Sequence, residues 1–304
     1  VLAVAKDLRL SSSEYILYGV SYGTMVATVA AALAEKGYGP VPAFLVLDGI
    51  VGKSDTLPEE NFFEWIRQWE MVKNKLPSPI RDALEAKDPP LGLSDLAWGS
   101  WIVGQLSFRD SISNPNSQIA DSNFSRLLLL KKDAASDAKK RFAHEINEAF
   151  RSSHTYEKSI GRQYKEIGCR EISPSLYYPN QDAGFRLEKG KLVPVYSKFC
   201  EGIPFEGKYD SAEWQTSTPI YYFAGVKDPS TTIKQAYHHL NSQSKALRIF
   251  VEVLEGAHCP LSSALTDCSQ QVWRSMGAGE KEFKTAVEDC DFESRVRIIK
   301  PNAP

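Results

Sequence analysis

The 304-residue chain has no long hydrophobic run. Its longest apolar stretch, Met25 to Leu33, is nine residues and contains Thr28, well short of the roughly 20 a membrane span requires. Neither sign of charge is in excess: 36 Lys and Arg stand against 38 Asp and Glu, a formal charge of −2, which argues against nucleic acid as the main partner. Internal repeats and low-complexity segments are absent. So are a basic n-region and an apolar h-region, and the chain opens on Val1; the expectation is a processed product or a fragment, whose compartment is not read from its beginning. Cysteine and histidine are sparse, five of each. Beyond His258-Cys259 no close Cys/His pair forms a ligand set, so no metal or other cofactor is expected. What remains, 42% hydrophobic and 24% charged residues, is an ordinary globular composition that excludes disorder and allows one large or two modest domains.

Residues 15–20 (YILYGV) form a short β-prone run, followed at once by MVATVAAALAEKGYG, an Ala-rich helix closed by Gly37 and Gly39. A second run, AFLVL at 43–47, lies between Pro42 and Asp48-Gly49 and reads as a parallel strand with the helix as its crossover. The expected fold class is therefore α/β. From Asp48 to Pro219 the character changes. NFFEWIRQWEMVKNKL and DAKKRFAHEINEAF read as amphipathic helices between Pro/Asn/Ser-rich loops, with no strong strand among them. This block is expected to be a helical insertion. The predicted division is 1–51 core, 52–215 helical cap and 216–304 core. Sheet strands resume with PIYYFAG at 219–225 and LRIFVEVL at 247–254, and a final helix (SSALTDCSQQVWRSM) precedes a charged tail.

Gly19-Val20-Ser21-Tyr22-Gly23 is a G-x-S-x-G sequence placed between a strand and a helix. There a tight turn holds the serine in a strained conformation, and both glycines are expected to let strand and helix approach. The helix dipole and the Tyr22 backbone N–H are then placed to stabilise an oxyanion. A serine hydroxyl needs a base. His144 and His154 fall in the insertion and His238 and His239 on a helix, whereas His258 follows a sheet strand in a loop opened by Gly256 and Ala257. The carboxylate that would orient it is Asp228, 30 residues earlier and just after a strand; Asp228-Pro229 is also a common turn starter. Asp210 and Asp267 are runners-up without a convincing strand before them. Alternatively, Ser21 is a spare serine in a Gly-rich turn and His258 a surface residue.

This order of Ser21, Asp228 and His258 on successive strand ends resembles the α/β-hydrolase fold, and in particular the proline iminopeptidase and tripeptidyl aminopeptidase group of serine peptidases. GVSYGTMVA is similar to that group's nucleophile elbow, LVLDGIVG to its next strand, and the insertion to its cap. IGCRE at 167–171 and FCEGIPF at 199–205 resemble its Cys-x-Asp and Cys-x-x-Trp-Pro motifs, with Glu171 in place of Asp and Ile203 in place of Trp. The group has strands and a His-Gly-Gly-Pro-Gly loop ahead of the elbow, which this chain lacks, so the resemblance implies the carboxyl-terminal part of a longer enzyme, with an amino-terminal segment of the same protein as a partner.

The resemblance implies further roles. Cys169 with Cys200, and Cys268 with Cys290, would form disulfides, leaving Cys259 free, as in a secreted or periplasmic enzyme; the alternative is five reduced, buried cysteines. Cap helices would cover the Ser21 pocket, with Trp65, Trp69, Trp98 and Trp101 packed inside the cap or lining its floor. A cap carboxylate would recognise a free amino terminus, Glu171 being favoured over Glu145, Glu148, Glu157 and Glu166. The expected function is a serine hydrolase, an aminopeptidase releasing short peptides or a residue through an acyl-enzyme, acting on a peptide or small acyl substrate. An esterase or amidase with the same triad and a non-catalytic binding module are the alternatives.

Overall fold

The computed structural model describes residues 1–54, 56–86, 89–107, 122–131, 134–148, 184–195, 209–263, 267–290 and 294–300. Along the chain these form α1 (Leu2–Asp7), β1 (Leu17–Val20), α2 (Tyr22–Leu33), β2 (Leu45–Asp48), α3 (Leu57–Lys75), α4 (Ser78–Glu85) and α5 (Asp95–Ser107). Next come α6 (136–148), β3 (Gly184–Glu188), β4 (Lys191–Val195), β5 (Ile220–Gly225), α7 (Ile233–Ser242) and β6 (Arg248–Val253). The last elements are α8 (Pro260–Ser263), α9 (Asp267–Ser275), α10 (Glu280–Asp289) and β7 (Ser294–Ile299). They divide into two compact units, Val1–Lys53 with Tyr209–Pro304, and Ser54–Lys208. No helix among the described residues is long and apolar enough to cross a membrane.

The first unit is a mixed α/β structure around a sheet of order β1-β2-β5-β6-β7. Its first four strands are parallel, with Leu17 opposite Leu45, Leu45 opposite Ile220 and Ile220 opposite Arg248, and β7 runs antiparallel along β6. Every position of β2, β5 and β6 is buried. Continuous burial is what a sheet covered on both faces demands, which is why these strands read as unbroken apolar runs rather than as alternation. Successive side chains part to opposite faces. Val46, Tyr221, Phe223, Ile249 and Val251 meet Val272, Phe283 and Val287 of α9 and α10. Leu45, Leu47, Tyr222 and Phe250 meet Ala27 and Ala31 of α2 and Ala236 and Leu240 of α7. Alanines on α2 bring that helix axis close to the sheet.

The limits of this unit are set by side chains of α7. Gln235 Oε1 accepts from the Gly52 and Lys53 amides at 3.0 and 2.7 Å. Gln243 Nε2 donates to the Ser211 carbonyl at 2.7 Å, and Lys53 bridges Asp210. Residues 52–53 and 209–215 therefore pack with the sheet.

The carboxyl-terminal stretch, expected to be a charged tail, contains α10 and β7. The helix buries Phe283, Ala286 and Val287, an i, i+3, i+4 stripe hidden in the sequence by the six charged residues around it in EKEFKTAVED. The strand closes the sheet as an edge, leaving Val296 and Ile298 partly exposed.

The second unit packs helices α3 to α6 around a core that includes Trp69, Trp98, Ile102, Phe124, Phe142 and Phe185. Trp65, Trp69 and Trp98 are buried, and Trp101 packs against the same cluster. The Trp69 and Trp98 indoles donate to the carbonyls of Gly190 and Pro90 at 2.9 and 3.0 Å, so all four tryptophans serve as core of this unit. Among these helices β3 and β4 form an antiparallel hairpin, which the expectation of a mainly helical block without a strong strand did not include. Its two-residue turn, Lys189-Gly190, has φ of 48° and 74°, the doubly positive geometry that follows strand twist. Phe185 and Leu187 point inward while Arg186 is exposed, an alternation too short to stand out beside neighbouring loops.

Candidate active site

Parallel strands deliver their carboxyl ends to one edge of a sheet, and four such ends meet here. Ser21 follows β1, Asp48 ends β2, Asp228 lies beyond β5 and His258 beyond β6. Ser21 has φ 52° and ψ −121°, a conformation that costs an L-residue of order 1–3 kcal/mol and persists only where its surroundings enforce it. Enforcement comes from its amide, which donates to the Asp48 carbonyl at 2.9 Å, and its carbonyl, which accepts from the Thr24 amide at 2.9 Å and the Thr24 hydroxyl at 2.7 Å. A Cβ on Gly19 would lie 2.5 Å from the Gly23 carbonyl oxygen, so the first glycine is required by close packing. The second is not: a Cβ on Gly23 would meet nothing within 4 Å, which corrects the expectation that both serve the same purpose. Tyr22 opens α2, placing its N–H in the first turn beside Ser21.

Asp228 and His258 are in contact. His258 Nδ1 lies 2.9 Å from Asp228 Oδ2, with the Asp228 side chain fully buried and 12% of the His258 side chain accessible. Asp228 Oδ2 also accepts from the Thr231 hydroxyl at 2.6 Å, while Oδ1 accepts from the Ser230 and Thr231 amides at 2.7 and 2.8 Å. Oδ1 builds the turn and Oδ2 lies against the imidazole, so the turn hydrogen bonds and the contact with His258 coexist on one carboxylate. The carboxylate places the ring proton on Nδ1 and leaves the lone pair on Nε2. Burial opposes protonation of His258, but the charge and hydrogen bond of Asp228, with the charge of Asp48 behind them, hold its pKa above the ordinary value.

Cys259 joins the His258 loop to the elbow. It is buried, carries a free thiol and has φ 56°. Its sulfur lies against Gly49, where a Cβ would come within 2.6 Å of it, and against the Ser21 amide. Gly49, at φ 68°, is thus required both by its backbone and by this contact. Burial, with the charges of Asp48 and Asp228, drives the Cys259 pKa far up. It stays a thiol and is no nucleophile.

Asp48 escaped the sequence reading, which took Asp48-Gly49 as a turn signal. Its side chain is fully buried. Oδ1 accepts from the Leu261 amide at 3.1 Å, and Oδ2 accepts from the Ser262 amide at 2.8 Å and the Tyr18 hydroxyl at 2.9 Å. Burial raises its pKa against the hydrogen bonds from Ser262, Leu261 and Tyr18. Thr231 was missed as well, and a Thr three residues after Asp228 is the only sequence signal it leaves.

Of the remaining candidates, Cys268 and Cys290 form a disulfide with Cα atoms 5.4 Å apart. Glu171, Cys169, Cys200, His154, Glu157 and Glu166 lie outside the described residues. Glu145 forms an ion pair with Arg126, and Glu148 lies on α6 with it. Asp210 pairs with His238 Nε2 at 2.9 Å, and Asp267 sits in the first turn of α9; neither is a partner of His258 in the contacts above. Among the described residues no group of three or more His, Cys, Asp or Glu is arranged to hold a metal ion.

No family model matches the chain, and no curated protein matches it. Among solved structures, one described as "Crystal structure of VinJ" aligns over 91% of this chain and 69% of that chain, at 11% identity and a TM-score of 0.34. The fold class rests on strand order and register.

Proposed function

We propose that the chain is a serine hydrolase of the α/β-hydrolase type, with Ser21 as nucleophile, His258 as general base and Asp228 as the group that orients it. The observation that supports this most is convergence: a serine in a strained left-handed elbow shares one sheet edge with a histidine whose Nδ1 is 2.9 Å from a buried carboxylate. Ser21 Oγ attacks the acyl carbon as His258 Nε2 takes its proton. The oxyanion that forms is stabilised by the Tyr22 N–H at the head of α2. His258 then returns the proton to the leaving amine or alcohol, giving an acyl-enzyme, and the same base activates the water that releases the acid. Within this class, the resemblance noted above favours peptides with free amino termini, Glu171 supplying the opposing charge. The Cys268–Cys290 disulfide supports an oxidising compartment, secreted or periplasmic.

A fluorophosphonate probe tests the class. It is expected to label the wild-type protein on Ser21 and to leave Ser21→Ala unmodified; absence of label on Ser21 leaves the binding-module reading in its place. Peptides with free and blocked amino termini test the substrate. Equal turnover of both, or turnover only of small esters, replaces aminopeptidase by esterase or amidase.

A further inference from the structure

The carbonyl and the carboxylate of one residue reach two different parts of the site. Asp48 is the last residue of β2 and stands opposite Val20, the residue before Ser21. Its carbonyl accepts the Ser21 amide at 2.9 Å. Its carboxylate accepts the Leu261 and Ser262 amides at 3.1 and 2.8 Å, the third and fourth residues after His258. These contacts bridge sequence separations of 213 and 214 residues. We propose that Asp48 is a positioning residue, which locks the His258 loop to the Ser21 elbow and thereby sets the approach of base to nucleophile. The proposal rests on the hydrolase reading of Ser21 and His258.

Stability alone does not explain a carboxylate here. A buried charge must be compensated by hydrogen bonds before it contributes anything, and an apolar side chain of similar volume would often serve a core as well. What an apolar side chain cannot do is accept from two backbone amides at once. Backbone N–H groups only donate, so both carboxylate oxygens are committed, and Tyr18 adds a third donor on Oδ2. Burial and the Asp48 charge push the Tyr18 phenol pKa upward and keep it a donor. Asparagine at this position would turn an NH2 group toward one of the two amides. Either the Leu261 or the Ser262 hydrogen bond would be lost, and the loop would shift.

The test is the rate at which a fluorophosphonate labels Ser21 across pH, in the wild-type chain and in Asp48→Asn. Asp48→Asn is expected to remain folded by circular dichroism and to label about 10- to 100-fold more slowly, the cost of a misplacement of about an ångström. Its pH midpoint is expected to fall, because one of the negative charges that raise the His258 pKa is removed while the Asp228 carboxylate and the Thr231 hydroxyl at His258 Nδ1 stay. A folded Asp48→Asn that matches the wild type in rate, or that loses rate with no movement of the midpoint, overturns the proposal. Should Asp48→Asn fail to fold, Tyr18→Phe removes a single donor from the same carboxylate and is expected to slow labelling about threefold to tenfold, the range for one hydrogen bond. Labelling of that variant at the wild-type rate overturns the proposal in that case. A wild-type chain that is not labelled on Ser21 overturns the hydrolase reading and this role with it.

Discussion

His239 and His258 both lie in the sheet unit with little solvent contact, His239 on α7 with no accessible surface and His258 with 12% of its side chain accessible. Their partners differ. His239 Nε2 lies 2.9 Å from the Thr28 hydroxyl, which itself donates to the Thr24 carbonyl at 2.8 Å, and Nδ1 lies 3.1 Å from the Tyr222 hydroxyl. Because Thr28 spends its proton on Thr24, His239 must donate from Nε2 and accept at Nδ1. Every hydrogen bond is satisfied with the ring neutral, and burial, with the nearby His238, pushes its pKa down to about 3. Around His258 the charge and hydrogen bond of the Asp228 carboxylate, with the charge of Asp48, reverse the direction. One fold thus holds an imidazole whose pKa is pushed down and another whose pKa is raised, and the difference lies in the charges beside each ring rather than in burial.

The sharpest way to break this contrast is Asp228→Asn, which gives His258 a neutral partner like those of His239. Turnover or labelling of Ser21 is expected to fall by about 10⁴-fold, as when the orienting carboxylate of such a triad becomes an amide, with little loss of fold. A fall below tenfold would show that His258 does not depend on Asp228. The converse change, His239→Leu, is expected to leave the pH midpoint of Ser21 labelling unmoved. It strands the Thr28 and Tyr222 hydroxyls in the core and is expected to cost about 2–4 kcal/mol of stability in a denaturant titration.

On the opposite face of the sheet, where α9 and α10 pack, the Cys268–Cys290 link closes a loop of 22 residues. Replacing both cysteines by serine is expected to cost about 3 kcal/mol on the chain-entropy account, again without moving that midpoint. If the midpoint moves, the support of His258 extends across the sheet.

Smallest per pH unit, and the most diagnostic, is the opposite linkage of the two histidines to pH. His239 has a folded pKa lowered from 6.5 to about 3. The unfolded chain therefore binds a proton first, and stability is lost as pH falls below the unfolded value, by at most about 1.4 kcal/mol per pH unit. His258 has a raised folded pKa, so its contribution is present below the unfolded value and fades as pH rises through the folded one. The neutral ring that the proposed base role requires appears over that same rise. Melting temperatures between pH 4 and 8 are expected to decline less steeply on the acid side in His239→Gln than in the wild type, and parallel curves would show that His239 is protonated in the fold.

Which parts of this arrangement were legible beforehand follows from the range over which each is encoded. The G-x-S-x-G turn, the apolar runs of β2, β5 and β6 and the helix carrying His238 and His239 are written in neighbouring residues, since periodicity and turn chemistry act over a few positions. They place Ser21, Asp228 and His258 at strand ends without any knowledge of the sheet. The β3–β4 hairpin and β7 were missed because two or three alternations carry too little signal, and α10 because charges interrupt its apolar stripe.

The chain's local chemistry thus settled an α/β sheet with a strained serine between strand and helix. Tertiary structure alone decided that Asp228 rather than Asp210 meets His258, that Asp48 reaches amides 213 and 214 residues away, and that burial pushes the His239 pKa down while Asp228 raises that of His258. Contacts of that kind depend on which strands lie side by side. Strand order is a property of the whole sheet, so no window of sequence around either partner contains it.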